Sequence, residues 1–113
     1  MSLERILRRK HLTVLGLNSG TSADGLDLAV VRISSDKNQR AVKFLLGSTR
    51  SYPVQLRKRI LDLADSKSTS LDNLVYLDNL VGEFFGRAAA SFVSKLPEKI
   101  NIDLIASHGQ TVR

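Results

Sequence analysis

Residues 16–27 read Gly-Leu-Asn-Ser-Gly-Thr-Ser-Ala-Asp-Gly-Leu-Asp. The stretch joins two apolar runs, residues 12–17 and 26–33, through a loop that contains Ser19, Gly20, Thr21, Ser22, Asp24 and Gly25. A simple hairpin turn needs fewer polar residues. Small residues let a backbone come close to a ligand, and their N–H and hydroxyl groups can surround phosphate oxygens. Ser19, Thr21 and Ser22 bring hydroxyl donors, Gly20 and Gly25 bring conformational freedom, and Asp24 and Asp27 put carboxylates at the same tip. A magnesium ion needs one or two carboxylates, often through water, and Asp24 is the candidate ligand. The Gly-Lys-Ser/Thr signature of a Walker A loop is absent. The competing reading is a hairpin rich in Gly, Ser and Asp for turn geometry alone.

Outward from this tip, residues 12–17, 26–34 and 41–48 read as strands. The first two are nearly continuous apolar runs, as expected of strands buried on both faces. In the third, Val42, Phe44 and Leu46 alternate with Ala41, Lys43 and Leu45. The polar stretch 34–40 reads as the turn between the second and third strands, which gives an antiparallel meander. Pro53 is placed as a first helical residue, followed at helical spacing by Leu56, Ile60, Leu63 and Ala64. Ser70 reads as an N-cap with Asp72 in the first turn. From there apolar residues recur every three or four positions between Leu74 and Leu96, one long amphipathic helix closed by Pro97. Gly82 and Gly86 inside it are expected to permit close packing on the sheet, at a cost in helix propensity. Residues 102–106 read as a fourth strand that returns parallel to its neighbour after the crossover. The fold class is α/β, a mixed sheet of β-β-β-α-α-β order with the helices on one face.

The 113 residues are 42% hydrophobic and 25% charged, which fits one small domain with a core. The net charge is +6, and half of it lies in the first ten residues, where Arg5, Arg8, Arg9 and Lys10 outweigh Glu4. Residues 1–11 thus read as a basic tail. Nucleic-acid binders carry basic stripes interleaved with aromatics, and aromatics are 5% here, so no nucleic-acid partner is expected. No apolar stretch is long enough to span a bilayer, and no signal peptide follows the basic start, so no membrane partner is expected. The absence of cysteine rules out disulfides and thiolate metal sites and fits a cytoplasmic setting.

A second polar constellation, Ser107-His108-Gly109-Gln110-Thr111-Val112-Arg113, follows the last apolar run. It reads as a loop just past the carboxyl end of a strand, the edge where open α/β sheets bind ligands. His108 and Gln110 can donate and accept hydrogen bonds, and Arg113 can clamp an anion. The alternative is a polar loop in which His108 caps nearby backbone. Other chemistries fare worse. His11 and His108 are too few for a zinc site. Ser22, His108 and Asp24 make a triad on paper, but no Gly-x-Ser-x-Gly elbow is present. Asp24 and Asp27 share one loop and would flank a glycosidic bond poorly.

Together the two motifs resemble the two signatures of the anhydro-N-acetylmuramic acid kinases. Residues 16–27 resemble the amino-terminal signature and residues 107–113 the second, in the expected order, and the resemblance spans residues 12–113. One position departs, with Asn18 where the family's pattern has methionine, which bears on sugar preference. The resemblance implies the beginning of a ribonuclease H-like, actin-like ATPase lobe, with ATP in a cleft between two lobes and the first hairpin's tip at its phosphates. It implies ATP and Mg2+ as cofactors and an amino sugar as substrate. Water opens the 1,6-anhydro ring and the γ-phosphate passes to the freed O6, in cell-wall sugar recycling. On this footing Ser19, Gly20, Thr21, Ser22, Asp24, Gly25 and Asp27 face the nucleotide, and Asp24 helps hold the metal. His108, Gln110, Thr111 and Arg113 line the sugar side. The resemblance places the catalytic base in a later Asp-x-Gly turn, which these residues lack. The chain is therefore expected to be a partial amino-terminal lobe without its second lobe, inactive alone and prone to self-association through exposed apolar surface. Kept beside this are a non-catalytic nucleotide-binding module of the same fold group and a small structural domain.

Overall fold

A computed structural model of the chain describes residues 2, 4–5, 8–20, 22–36 and 39–110. The apolar runs form β1 (His11–Ser19) and β2 (Gly25–Asp36), followed by β3 (Gln39–Ser51). Helices α1 (Val54–Asp65) and α2 (Leu71–Ser94) then lead to β4 (Leu104–Gln110), which is the expected element order. The four strands form one sheet in the order β3-β2-β1-β4. β1 and β3 flank β2 in antiparallel register, while β4 runs parallel to β1. A parallel return needs a crossover, and the two helices supply it.

The core lies between one sheet face and the helices. Leu15 and Leu17 of β1 stand in register with Val30 and Leu28 of β2, and all four are buried. Leu56 and Ile60 of α1 and Leu77, Phe85, Ala88 and Phe92 of α2 close over them. β2 is buried on this face only. Leu26, Leu28 and Val30 are covered, whereas Ala29 and Val31 on the other face are half-buried. For β2 the expectation of burial on both faces is thus corrected, because both helices pack on the same side; in β1 it holds over Thr13, Val14 and Leu15, which are all buried. Val42 and Phe44 of β3 share that other face and are exposed at 68% and 63%. A bulge follows Phe44, with Phe44 opposite Val31 and Leu46 opposite Val30. The extra residue, Leu45, breaks the simple alternation and turns Leu46 toward the core.

Element ends differ from the sequence reading for local reasons. Residues 34–40 are mostly ladder, since β2 and β3 stay paired as far as Asp36 and Gln39. Pro53 is the N-cap of α1 and not its first helical residue, its ψ of 143° being extended. Ser70 caps α2, its hydroxyl accepting from the Asn73 amide at 3.0 Å, with Asp72 in the first turn. That helix ends at Ser94, two residues before Leu96. β4 starts at Leu104, because Asp103 is occupied as an anchor. Its amide donates to the Thr13 carbonyl at 2.8 Å, and its carboxylate accepts from the Thr13 amide at 2.9 Å. Arg9 pairs with the same carboxylate at 2.7 Å.

Gly82 and Gly86 do not mediate close packing. Both are exposed, and a Cβ added to either meets nothing within 4 Å. What remains is the helix-propensity cost of glycine. Gly86→Ala should therefore stabilise the fold by about 0.5–1 kcal/mol, read as a higher urea midpoint at unchanged slope.

Candidate functional site

The two polar motifs meet at one end of the sheet. β1 and β4 are parallel, so their carboxyl ends lie together, with Ser19 in register with Gln110. The described part of the second motif, residues 107–110, is therefore not a loop beyond the strand. Ser107, His108, Gly109 and Gln110 are the last half of β4, held to β1 by the Leu17–Ser107 and Ser19–Gln110 pairs. A register shift separates those pairs, and Gly109 at φ 82° adopts the left-handed conformation that glycine tolerates best.

Above this junction stands the tip between β1 and β2. The Ala23 amide donates to the Gly20 carbonyl at 3.2 Å, closing a tight turn. Ala23 has φ 52°, uncommon for a residue with a side chain, and its methyl group is buried in the core. The turn is thus pinned from below. Among the described residues, the amides of Ser22 and Asp24 have no acceptor within the chain, and Ser22 and Asp24 are exposed. Gly25 is required by close approach and not by dihedral freedom. A Cβ there would lie 2.1 Å from the Arg50 carbonyl oxygen of β3. Gly20 also lacks a positive φ, and a Cβ on it would point into open space.

The functional side chains divide into buried and exposed sets. Ser19 is buried, and its hydroxyl lies 2.7 Å from the Gly25 carbonyl and in a short contact with Gln110 Oε1. It is an internal link and does not face solvent. The Gln110 carboxamide is held at both ends, with Nε2 donating to the Gly20 carbonyl at 3.0 Å. Asp24 and Asp27 are exposed. Asp24 lies 3.4 Å from the Arg57 guanidinium, and Asp27 accepts from the Thr49 hydroxyl at 3.0 Å. His108 is exposed on β4. Asn18 is exposed and paired in register with Asp27. Among the described residues no hydrogen bond joins Ser22, His108 and Asp24, so the triad is not assembled. Thr21, Thr111 and Arg113 lie outside the described residues.

Two residues not singled out in the sequence complete the site. Tyr52 follows β3, and its amide donates to the Asp24 carbonyl at 3.1 Å. Its buried phenol reaches Ser19 Oγ at 3.0 Å and Gln110 Oε1 at 2.7 Å, while its ring meets Phe84 edge-on at 4.9 Å. Burial pushes this phenol above its ordinary value of 10.0, with the Ser19 hydrogen bond pulling the other way. Arg57, one turn into α1, reaches the Ser22 carbonyl at 3.4 Å and brings a positive charge to the tip. The available signal for Tyr52 was the Tyr-Pro step, since a residue before proline is held extended. Nothing local marked Arg57 among its basic neighbours. Beside Gly109 and Gln110 an open, largely apolar cavity of about 280 Å³ runs between the helices, lined by Ile60, Leu77, Val81 and Phe85.

A family model described as anhydro-N-acetylmuramic acid kinase matches residues 12–113. The anhydro-N-acetylmuramic acid kinase of Caldanaerobacter subterraneus subsp. tengcongensis is 36% identical over 112 residues, covering 97% of this chain and 28% of that protein. Those of Synechococcus elongatus and Microcystis aeruginosa are 40% and 39% identical over 101 residues, covering 89% of this chain and 26% of each protein. The chain spans about a quarter of the length of these relatives. Among solved structures, a cryo-EM structure of CasPhi-2 (Cas12j) bound to crRNA and phosphorothioate-DNA gives a TM-score of 0.29 at 13% identity, over 84% of this chain and 11% of that one. That likeness is too slight to bear on fold or function.

Gly25→Ala should force β3 away from β2 at the tip and cost about 1–3 kcal/mol, measured as a fall in urea midpoint. The raised Tyr52 value also has a pH consequence. The folded chain holds the phenolic proton more tightly than the unfolded chain does. Its contribution is therefore complete below pH 10.0 and is lost as pH rises toward the folded value. Thermal unfolding between about pH 8 and 11 should show a smaller alkaline loss in Tyr52→Phe than in the parent chain.

Proposed function

The chain belongs to the anhydro-N-acetylmuramic acid kinase family, and on that footing we propose that it forms the phosphate-binding end of an ATP-dependent sugar kinase. The observation that carries this reading is the meeting of both motifs at Ser19 and Gln110, beneath a turn whose Ser22 and Asp24 amides have no acceptor among the described residues. Phosphoryl transfer depends on positioning and on neutralising charge around the phosphoryl oxygens. The amides of Gly20, Ser22 and Asp24, with the Thr21 and Ser22 hydroxyls, surround the terminal phosphates of ATP. Asp24 holds Mg2+ or its waters, and Asp27 stands behind it. Gly25 keeps β3 close enough to support the tip.

In this reading His108, Thr111 and Arg113 contact the sugar. The substrate is 1,6-anhydro-N-acetylmuramic acid. Water adds at C1 as the bond from C1 to O6 breaks, and O6 takes the γ-phosphoryl group, leaving ADP and N-acetylmuramic acid 6-phosphate. The setting is cytoplasmic cell-wall recycling. The sheet with its crossover helices is the start of a ribonuclease H-like, actin-like lobe. Residues 12–113 act as part of that lobe, with His11 opening β1 and Arg9 tied to Asp103 and so not part of a free tail, and turnover requires a second lobe carrying the base.

The test is a titration of the chain with Mg2+ and a non-hydrolysable ATP analogue, followed by amide NMR. Saturable shifts confined to residues 18–27 and 107–110 are expected, weakened about tenfold by Asp24→Asn. Unmoved tip amides at saturating nucleotide would overturn the reading. For a complete polypeptide carrying this segment, ADP release that depends on the anhydro sugar is the expected turnover.

A further inference from the structure

Buried Ser19 and Tyr52 and half-buried Gln110 form a polar cluster on which the tip rests. Each hydroxyl has one hydrogen, so the contacts resolve into a directed chain. Tyr52 donates to Ser19 or to Gln110 Oε1, Ser19 donates onward to Gln110 Oε1 or to the Gly25 carbonyl, and Gln110 Nε2 donates to the Gly20 carbonyl. The Gly20 carbonyl is also the acceptor that closes the turn, from Ala23. The last link of the chain therefore lands on the first residue of the tip. Among the described residues no buried side-chain polar atom is left without a partner, so removing one member strands the others.

Tyr52 reaches the tip from below in two ways. Its amide holds the Asp24 carbonyl and its phenol holds Ser19 and Gln110, while Phe84 braces the ring from α2. Both ends of the turn, Gly20 and Asp24, are thereby tied to one residue that lies outside both sequence motifs.

We infer that Tyr52 is a positioning residue, acting through Gln110 to set the height and orientation of the 20–24 turn so that its exposed amides converge on one anion. In this arrangement Gln110 is a strut and not a sugar ligand, and the sugar-side strand and the phosphate-side turn move as one body. Ligand occupancy at either motif is then felt at the other. The inference rests on the nucleotide reading above only for the identity of the anion; the mechanical link stands on the hydrogen bonds themselves.

The experiment compares the parent chain, Tyr52→Phe and Gln110→Met. Phenylalanine keeps the contact with Phe84, and methionine keeps the length of Gln110 without its carboxamide. Hydrogen exchange at Ala23, whose amide bonds to Gly20, is measured alongside Phe85 and Phe92 in α2, and Mg2+-ATP affinity is measured in parallel. Both variants should speed Ala23 exchange about tenfold and leave the helix amides unchanged, with Mg2+-ATP affinity weakened about tenfold. Unchanged Ala23 exchange in both variants overturns the strut. Faster Ala23 exchange with undiminished affinity overturns the positioning role, as does an equal rise in exchange throughout α2, which marks a loss of global stability only. A parent chain that fails to bind Mg2+-ATP, but whose variants still loosen Ala23 selectively, sinks the nucleotide reading and supports the strut.

Discussion

A single buried hydroxyl, that of Ser19, ties together the ends of all four strands. It sits on the last residue of β1, contacts the first residue of β2 through the Gly25 carbonyl, and meets Tyr52 just beyond β3 and Gln110 at the end of β4. A buried hydroxyl is costly without partners, so the alignment of four chain segments at this point is enforced by polar satisfaction as well as by apolar contact. At the opposite end of β1, Asp103 does a comparable job, bridging Thr13 and Arg9 so that β4 enters in register. Between these two anchors the apolar ladder of Leu15, Leu17, Leu28 and Val30 fills the helix-facing side.

The site built on this base has a rigid floor and a wet rim. Ala23 and Gly25 are fixed by burial and by the nearby Arg50 carbonyl, while Ser22 and Asp24 project into solvent. The Arg57–Asp24 pair spans 3.4 Å and is open to water on both sides, so it contributes little to stability. Its consequence is electrostatic. A guanidinium held beside the tip softens the repulsion that Asp24 would otherwise present to an anion, and leaves the carboxylate available to a cation. On the proposed reading such a preorganised backbone suits phosphate chemistry, because the donors need little rearrangement when the charge arrives.

The element order, the cap at Ser70 and both motifs were legible in the sequence, since each rests on local chemistry: apolar runs, a capping hydroxyl, small polar residues at a turn. The misreadings share a different cause. Gly82 and Gly86 read as packing sites because their spacing fits one, yet no neighbour comes within 4 Å of a Cβ on either, and only the placement of α2 on the sheet decides that. Residues 107–110 read as loop because they are polar, yet the Leu17–Ser107 and Ser19–Gln110 pairs draw them into β4. The bulge at Leu45 and the single-sided burial of β2 likewise depend on what lies across the sheet.

Sequence alone determined which residues gather at the tip and at the end of the last strand, because glycine, serine and aspartate carry their turn and donor chemistry wherever they stand. Tertiary structure decided which of them face outward. Ser19 and Gln110 became internal links, and Tyr52 became part of the site although no motif contains it. The reason is that hydrogen-bond partners 33, 58 and 91 positions apart are set by strand register and crossover, which bring distant segments to one point.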